Sequence, residues 1–354
     1  MHQLSLDIFD TPTVEPDEDQ AGGAAQEPID LLSYGTYIVA FSGGKDSVGC
    51  VLNLIESGVP RERIELWHHE VDGREGSHLM DWPCTAAYCQ AFADTFRLPI
   101  FFSWRIGGFE REMLREGTPT APVRFELPGG EVRQVGGERG APGTRRRFPQ
   151  LSGSLTTRWC SAYLKIDVMA AAIRNQERLR GQRVLVVTGE RAEESTCRAN
   201  YASFEPHRTD KRESPTLARH IDHYRPVHGW SEQQVWDILA RWRINPHPAY
   251  RMGWGRVSCA GCIFGGDDQW SSVRVVNPAQ FGQIAHHEQA FGCTIRRART
   301  TVGHAADHGT PYPTITPALV AEALDPRWNE PIFLPPGVPW MLPAGAFGDH
   351  AGPM

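Results

Sequence analysis

Short apolar runs alternate with amphipathic stretches along the first two thirds of the chain. The apolar runs predict β-strands at residues 36–41, 64–71, 98–104 and 183–187. The amphipathic stretches predict helices at residues 45–56, 81–97, 108–116, 157–176 and 232–243, with Ser231 as the N-cap of the last one. Strands that alternate with helices are typical of a parallel, doubly wound sheet, so the pattern indicates an α/β fold.

Residues 117–157 interrupt this alternation with glycine, proline and arginine. Within them, residues 123–127 and 131–135 flank Pro128-Gly129-Gly130, a pattern that predicts a β-hairpin. An insertion of this length between regular elements favours an excursion over the mouth of an active site.

The C-terminal part of the chain has a different character. Residues 246–266 are rich in Pro, Gly and Cys and predict a loop, followed by helices at 267–275 and 278–291. The last forty or so residues are Pro-rich with little periodicity, which predicts an irregular wrap or tail. We therefore divide the chain into an acidic tail (1–30), a main α/β domain that includes the insertion (31–245), a Cys-containing segment that completes it (246–310) and a Pro-rich tail (311–354).

The net charge of the 354 residues is −6, from 36 Lys and Arg against 42 Asp and Glu. Residues 1–30 hold eight of the acids and none of the bases, so the remainder carries +2. This acidic segment, poor in aromatic residues, is predicted to be disordered. Arginine accounts for 33 of the 36 bases and suits bidentate contacts with phosphate, although a GC-rich genome produces the same bias. The composition therefore does not exclude a polyanionic partner.

The chain shows no apolar run of the length that a transmembrane helix needs and no secretory signal, so we expect a cytoplasmic protein without a membrane partner. It has eight cysteines. In a reducing compartment, cysteines are more typical of metal ligands, catalytic groups or buried apolar positions than of disulfides.

The sequence Ser42-Gly43-Gly44-Lys45-Asp46-Ser47 stands between an apolar strand and a helix. Glycines allow the backbone to approach phosphate oxygens, and the helix N-terminus attracts an anion. Lys45 adds a positive charge and the serine hydroxyls add donors. The spacing differs from that of a Walker A loop, which has four residues between its first glycine and Gly-Lys.

This segment resembles the PP-loop of the ATP-pyrophosphatase superfamily, and the wider chain is similar to its phosphoadenosine-phosphosulfate (PAPS) reductase-like family. The resemblance spans roughly residues 34–300 and includes three further segments, at 157–165, at 189–198 and from Tyr224 into the helix at 230–242. It implies a Rossmann-like adenine nucleotide α-hydrolase fold with a helical or irregular C-terminal region. It also implies that ATP, bound with Mg²⁺ at the C-terminal edge of the sheet, is cleaved to AMP and pyrophosphate.

The resemblance also implies roles for the matched loop residues. Lys45 would stabilise charge on the α-phosphate and on the leaving pyrophosphate, and Asp46 would orient the loop or help to hold Mg²⁺. The residues expected to cradle the β- and γ-phosphates are Ser42, Gly43, Gly44 and Ser47.

A second set of matched residues follows the strand predicted at 183–187. Gly189 would let the backbone approach the nucleotide, and Arg191 and Arg198 would bind phosphate or sulfate oxygens. Ser195, with Glu193 and Glu194, would bind the nucleotide or cap the next helix, and the sequence leaves both interpretations open.

Cys259-Ala260-Gly261-Cys262 is a C-x-x-C sequence, which alone fits a redox pair, half of a zinc site or half of an iron–sulfur site. Cys160 lies in a segment where cluster-bearing relatives have a cysteine pair, and the first position of that pair is Trp159 here. The resemblance therefore implies a four-iron, four-sulfur (4Fe–4S) cluster on Cys160, Cys259 and Cys262, with Cys293 as a fourth candidate ligand.

Zinc is the alternative metal, because nearby histidines could complete such a site. The histidines concerned are His223, His228 and His247. His68 and His69, at the end of the strand predicted at 64–71, are expected to contact metal or adenine or to line the pocket.

The intact loop and the cysteines together favour an ATP pyrophosphatase that activates an acceptor for sulfur transfer. The closest analogy is the ATP-pyrophosphatase component of bacterial DNA phosphorothioation systems, which implies a nucleic-acid acceptor and a sulfur donor such as a cysteine desulfurase. Residues 207–212 and the arginines of the insertion are candidates to contact the phosphate backbone. These arginines are Arg124, Arg133, Arg139, Arg145, Arg146 and Arg147.

Three alternatives remain at this stage. The first is an assimilatory phosphoadenylyl-sulfate or adenylyl-sulfate reductase, although such enzymes usually lack the Lys-Asp pair and carry a C-terminal cysteine, and no cysteine follows Cys293 here. The second resembles the small subunit of ATP sulfurylase, and the third is a non-catalytic nucleotide-binding subunit. Separately, Gln3–Phe9 (QLSLDIF) is similar to peptides that bind the bacterial sliding clamp, which is a candidate partner.

Overall fold

The computed structural model describes residues 29–348 except Arg139, Gly153, Ser258 and Arg297. The peptide Gln3–Phe9 and nearly all of the predicted acidic tail lie outside the described residues. The chain divides into two compact units, residues 1–31 and residues 32–354. Every element below belongs to the second unit.

Eight strands form one sheet in the described part of the chain. They are β1 (Thr36–Ala40), β2 (Ile64–Glu70), β3 (Ile100–Arg105), β4 (Val123–Glu126), β5 (Val132–Val135), β6 (Arg183–Val187), β7 (Phe204–Pro206) and β8 (His220–Tyr224). Their order across the sheet is β5-β4-β3-β2-β1-β6-β8-β7. The central strands β3, β2, β1, β6 and β8 pair in parallel, whereas the pairs β3–β4, β4–β5 and β8–β7 at the two edges are antiparallel.

The helices of the described chain cover the sheet and build most of the C-terminal region. They are α1 (Lys45–Glu56), α2 (Thr85–Phe96), α3 (Gly108–Leu114), α4 (Trp159–Ser161), α5 (Asp167–Arg174), α6 (Thr196–Ala199), α7 (Glu232–Arg241), α8 (Pro248–Met252), α9 (Asp267–Val276), α10 (Pro278–Phe291), α11 (Val302–His308) and α12 (Pro317–Leu324). A five-residue π-helical segment, Ala162–Ile166, joins α4 to α5.

The central strands confirm the predicted α/β fold with a mainly parallel sheet. Each of β1 and β6 is buried along most of its length, as an apolar run between two helical layers requires. Ser231 caps α7 as predicted, since its hydroxyl accepts a hydrogen bond from the Gln234 backbone N–H at 3.2 Å. The helix predicted from residue 81 begins only at Thr85.

Two predictions about the sheet were incomplete. The hairpin β4–β5 forms as expected but pairs with β3, Ser103 lying opposite Phe125, so this part of the insertion extends the sheet instead of crossing the cavity. Strand β8 was missed, because the polar and charged residues of His220–Tyr224 mask the apolar pattern of a buried strand.

The C-terminal segment packs against the domain as a wrap. Ile332 accepts a hydrogen bond from the Asn245 backbone N–H at 2.7 Å, and the Gly345 N–H donates to Tyr250 at 2.8 Å. The Trp340 indole donates to the Ile244 carbonyl at 2.9 Å. Helix α12, which the Pro-rich composition did not predict, belongs to this segment.

Strand β1 is the point at which the sheet changes its direction of growth. The chain continues from β1 to β2 on one side and returns through β6 on the other. In open α/β sheets, ligands bind outside the carboxyl end of the strand at this switch point. The topology therefore directs attention to the turn after Ala40.

Candidate nucleotide site

A cavity of about 530 Å³ opens at this switch point. Its walls come from the turn after β1, the carboxyl ends of β2 and β6, the segment around α4, and the loop at residues 255–264. Small-molecule sites in proteins usually measure about 300–1,000 Å³, so a nucleotide fits this volume.

The turn between β1 and α1 has the geometry that an anion-binding loop requires. Gly43 has a φ of +73°, and a Cβ atom there would lie 3.1 Å from the Cys89 sulfur, so both conformation and space call for glycine. The Ser47 hydroxyl donates to the Gly44 carbonyl at 2.9 Å and accepts from the Ser42 N–H at 3.3 Å. These bonds hold the N-terminus of α1 at the cavity wall, where its dipole favours an anion.

Lys45 lines the cavity but is only 3 % exposed. Its ammonium lies 3.4 Å from the Gly255 carbonyl, 3.4 Å from Asp46 and 3.8 Å from Glu232. Its backbone N–H donates to the Tyr250 hydroxyl at 2.9 Å. The lysine is therefore pre-positioned by groups that lie far from it in the sequence.

Asp46 and Arg191 form the central ion pair behind the loop. Arg191 Nε donates to Asp46 Oδ1 at 2.7 Å, and Arg191 is 2 % exposed. Burial raises the pKa of Asp46, but the charges of Lys45 and Arg191 outweigh it and hold that pKa below its ordinary value. Arg191 does not line the cavity, so its predicted contact with phosphate is not what the structure shows.

Arg198 lines the cavity and pairs with Glu194, which also binds Arg256 at 3.2 Å. The Ser195 hydroxyl accepts from the Arg198 backbone N–H at 3.2 Å and caps α6. The structure thus favours the capping interpretation for Ser195. Gly189 does line the cavity. It lies close to the phosphate loop, since a Cβ at this position would be 2.9 Å from the Asp46 carbonyl carbon.

Cys160, Cys259 and Cys262 line this same cavity. Burial, with a smaller contribution from Cys262, raises the pKa of the Cys160 thiol to about 11. Burial and then Cys262 also raise the pKa of Cys259 well above its ordinary value. The loop that carries Cys259 is anchored by a hydrogen bond of 2.9 Å from the Ala260 N–H to the Met80 carbonyl.

Three thiols are a suitable donor set for an iron–sulfur cluster or zinc. Within the described residues, however, no group of three or more His, Cys, Asp or Glu side chains is arranged so that it could hold a metal ion. The thiols therefore share a cavity without forming a ready ligand set. Cys293 follows α10 and is absent from the cavity lining.

The histidines proposed to complete a zinc site are engaged elsewhere. His223 Nε2 lies 2.7 Å from the Thr188 hydroxyl, and His228 Nε2 lies 2.8 Å from the Arg198 carbonyl. His247 is fully buried, with Nε2 3.3 Å from the Cys84 sulfur. The structure does not bring these histidines to the cavity cysteines, which removes the support for a mixed zinc site.

His68 and His69 do line the cavity, as one of their predicted roles required. Burial lowers the pKa of His68 to about 4 and that of His69 to about 3, so both imidazoles are neutral at physiological pH. His69 Nδ1 lies 2.7 Å from the Ser103 hydroxyl. Its buried Nε2 has no hydrogen-bond partner among the described residues.

Asp81 and Tyr250 are cavity residues that sequence reasoning missed. Burial, with the nearby charge of Asp72, raises the pKa of Asp81 to about 7. Asp72 in turn accepts hydrogen bonds of 2.9 Å from the Met80 and Asp81 N–H groups. Its position at the start of the helix predicted at residues 81–97 was the only local signal for Asp81, and Tyr250 had none, since its contact with Lys45 spans 205 residues.

The arginines of the insertion are mostly paired with glutamates. Arg145 is buried against the Trp159 ring, with a centroid distance of 4.3 Å, and lies 3.4 Å from Glu112. Arg139 lies outside the described residues. The remaining pairs are Arg124–Glu75, Arg133–Glu131 and Arg146–Glu116, at 3.7, 3.4 and 3.1 Å. This pairing reduces the positive charge that the insertion can offer to a nucleic acid.

No helix in the described part of the chain is both long enough and apolar enough to cross a membrane.

In a comparison with known proteins, the chain is 27 % identical over 281 residues to a protein of Escherichia phage 186 described as an uncharacterized 37.8 kDa protein in the gpa 5' region. The aligned segment covers 75 % of this chain and 78 % of the phage protein.

A family comparison identifies the segment that carries the cysteines. Residues 141–264 match the phosphoadenosine phosphosulfate reductase domain. The match includes Cys160, Gly189 and Cys262, whereas the phosphate loop at residues 42–47 precedes it. The chain therefore carries a phosphoadenosine phosphosulfate reductase domain match on an α/β fold with a mainly parallel sheet.

Proposed function

We propose that this protein cleaves ATP to AMP and pyrophosphate in order to activate an acceptor for sulfur transfer. One observation carries the proposal: the N-terminus of α1 with Lys45 and the thiols of Cys160, Cys259 and Cys262 line a single cavity. A phosphate-binding loop alone fits any nucleotide-binding protein. A phosphate-binding loop that faces three cysteines fits a reaction that joins nucleotide activation to sulfur chemistry.

In the first step, an acceptor oxygen attacks the α-phosphorus of ATP. The bond to the bridging oxygen breaks and pyrophosphate leaves, and an acceptor oxygen that carries a proton loses it to solvent, whereas an ionised phosphodiester oxygen has none to lose. The Lys45 ammonium and the dipole of α1 stabilise the negative charge that accumulates on the α-phosphate and the leaving group. Mg²⁺ would be held mainly by phosphate oxygens, with Asp46 as a candidate protein ligand.

In the second step, a sulfur nucleophile attacks the acceptor atom that bears the adenylate, and AMP leaves with the activated oxygen. The sulfur comes from an external donor such as a cysteine desulfurase, whose persulfide sulfur is released as sulfide by two electrons from an external thiol reductant. A 4Fe–4S cluster on Cys160, Cys259 and Cys262 would supply a place for sulfide beside the nucleotide. The cavity cysteines would have to converge further to hold such a cluster.

A nucleic-acid acceptor, by analogy with DNA phosphorothioation, is the acceptor class that we favour. Arg158 and Lys165 line the cavity and form no ion pair with an acid among the described residues, although the charge of Lys165 acts on Asp81. Two cations beside the ATP site suit a second phosphate group. The paired arginines of the insertion contribute less, so we expect recognition to centre on the cavity mouth.

The matched domain supports one competing function, the reduction of a sulfonucleotide to sulfite with thiols as the reductant. A direct assay separates the two. Protein purified without oxygen is incubated with ATP, Mg²⁺ and oligonucleotides, or with phosphoadenylyl sulfate and a dithiol, and pyrophosphate, AMP and sulfite are measured.

Lys45→Ala provides the decisive variant for this assay, and Arg327→Ala, at an exposed surface cation paired with Asp325, is its control. Pyrophosphate release that falls at least a hundredfold in Lys45→Ala and persists in Arg327→Ala supports the proposal. Sulfite release without pyrophosphate release would establish the reductase instead.

A further inference from the structure

Glu232 is a buried acid that contacts Lys45 of the phosphate loop and Arg191 behind that loop, without lining the cavity. It is the first residue of α7 and is 4 % exposed. Its Oε1 lies 3.8 Å from the Lys45 ammonium, and its Oε2 lies 3.8 Å from Arg191 Nη2. A buried carboxylate at this position is stable only because it is paired and hydrogen-bonded.

Two further groups fix the Glu232 carboxylate. The Trp236 indole N–H and the Phe347 backbone N–H each donate to Oε1 at 3.1 Å. Trp236 belongs to the same helix, whereas Phe347 comes from the C-terminal wrap. The acid therefore links that wrap to the lysine of the phosphate loop.

A second contact joins the C-terminal wrap to Lys45 by another route. The Gly345 N–H donates to the Tyr250 carbonyl at 2.8 Å, and the Tyr250 hydroxyl accepts from the Lys45 backbone N–H at 2.9 Å. Residues 345–347 are thus tied to both the side chain and the backbone of Lys45, each through one intermediate residue.

We propose that Glu232 is a positioning residue for Lys45 and that residues 345–347 of the C-terminal wrap are part of the nucleotide site because they fix Glu232. The carboxylate holds the Lys45 ammonium at the inner wall of the cavity, against Trp236 and Tyr250, whose ring centroids lie 5.9 and 5.7 Å from it. The catalytic importance of this position rests on the proposed function, but the restraint on Lys45 can be measured without turnover.

The chain contains only three lysines, Lys45, Lys165 and Lys211, so each can be followed separately by mass spectrometry after brief reaction with an amine-acylating reagent. Glu232→Gln keeps a side-chain oxygen that accepts from Trp236 and Phe347 but removes the charge. We expect it to increase the acylation rate of Lys45 at least fivefold, with the rates of Lys165 and Lys211 unchanged. Glu56→Gln is the matched control, because Glu56 also accepts from a tryptophan indole and pairs with an arginine of α7, far from Lys45.

The role of the wrap is tested with a pair of variants at Phe347, whose side chain is 52 % exposed and whose φ is +57°. Phe347→Gly suits this φ and keeps the N–H, whereas Phe347→Pro removes the donor and, because proline cannot adopt a positive φ, also displaces residues 345–347 from Glu232. We expect Phe347→Pro to raise the acylation rate of Lys45 at least threefold and Phe347→Gly to leave it within twofold of the wild type.

A Lys45 rate within twofold of the wild type in Glu232→Gln would overturn the inference, and so would a parallel rise at all three lysines, which signals general loosening. Equal acylation rates of Lys45 in the two Phe347 variants would show that the wrap is not part of the site.

A kinetic readout is available on the same proteins. Glu232→Gln should lower the turnover of ATP at least tenfold without weakening ATP binding, because one negative charge near the phosphates is lost. Absence of pyrophosphate release by the wild type would count against the proposed function alone, since acylation does not depend on it.

Discussion

Arg191 Nε donates to Asp46 Oδ1 across 2.7 Å, and this pair joins the loop after β6 to the phosphate loop after β1. Because the guanidinium is almost fully buried, it supports the loop from behind and leaves the cavity wall to Lys45 and Arg198. The two loops meet at the switch point of the sheet, so a change in either one reaches the candidate nucleotide site.

Removal of the arginine should destabilise the whole domain. Arg191→Ala leaves the Asp46 carboxylate without its closest cation and with Lys45, 3.4 Å away, as its remaining partner, and breaking a buried pair in this way costs about 3 kcal/mol. Arg241→Ala is the control, since Arg241 is half exposed and pairs with Glu56 at the surface, where about 0–1 kcal/mol is expected. Urea unfolding curves measure both, and equal losses would contradict the assigned role of Arg191.

Gly189 offers a test of the contact between the same two loops. An added Cβ would lie 2.9 Å from the Asp46 carbonyl carbon and 3.0 Å from its oxygen, both backbone atoms that cannot yield without moving the phosphate loop. We expect Gly189→Ala to weaken ATP binding about tenfold or more. Gly229→Ala, where a Cβ meets nothing within 4 Å, should bind ATP like the wild type. Titration calorimetry distinguishes the two, and unchanged affinity in Gly189→Ala would show that the loops are not coupled.

Asp81 should give the protein a pH-dependent stability. Burial and the Asp72 charge raise its pKa to about 7, from an ordinary value of 3.8. The ionised carboxylate therefore destabilises the folded state. This destabilisation grows as the pH rises from 3.8 to about 7 and reaches its full size above pH 7. Asp81→Asn should raise the free energy of unfolding at pH 8 by a few kcal/mol and have little effect near pH 4. Asp94→Asn, on the exposed side of α2, is the control, and a gain that does not vary with pH would contradict the assignment.

The cavity cysteines should react slowly with alkylating reagents while they carry no metal. With a pKa of about 11, Cys160 is a thiolate to the extent of about one part in a thousand at pH 8. Cys197 is exposed and serves as the internal reference. Iodoacetamide at pH 8, followed by peptide mass spectrometry, should modify Cys197 much faster than Cys160 or Cys259. Equal rates would show that the cavity thiols are as accessible and as reactive as the exposed thiol of Cys197.

The sequence predicted those parts of the fold that depend on local patterns. The buried strands β1 and β6 have continuous apolar runs, and Gly43 and Gly44 stand where a strand turns into a helix. Strand β8 was missed because its pattern includes His220, Asp222 and His223, whose side chains find partners only after the chain has folded.

The support of the site could not be read from local patterns. Tyr250 and Glu232 reach Lys45 across 205 and 187 positions, and neither has a sequence feature that distinguishes it from an ordinary helix residue. The burial of Arg191 behind the loop was not predicted for the same reason. The residue type suited phosphate, but its burial against Asp46 depends on the packing of β6 against β1.

The products formed from ATP test the central claim most directly. With ATP labelled on the α-phosphate, the protein with Mg²⁺, an oligonucleotide acceptor and a sulfur donor should form AMP and pyrophosphate in equal amounts, and Lys45→Ala should form neither. Formation of ADP and phosphate, or the same yield of AMP from Lys45→Ala as from the wild type, would contradict the account.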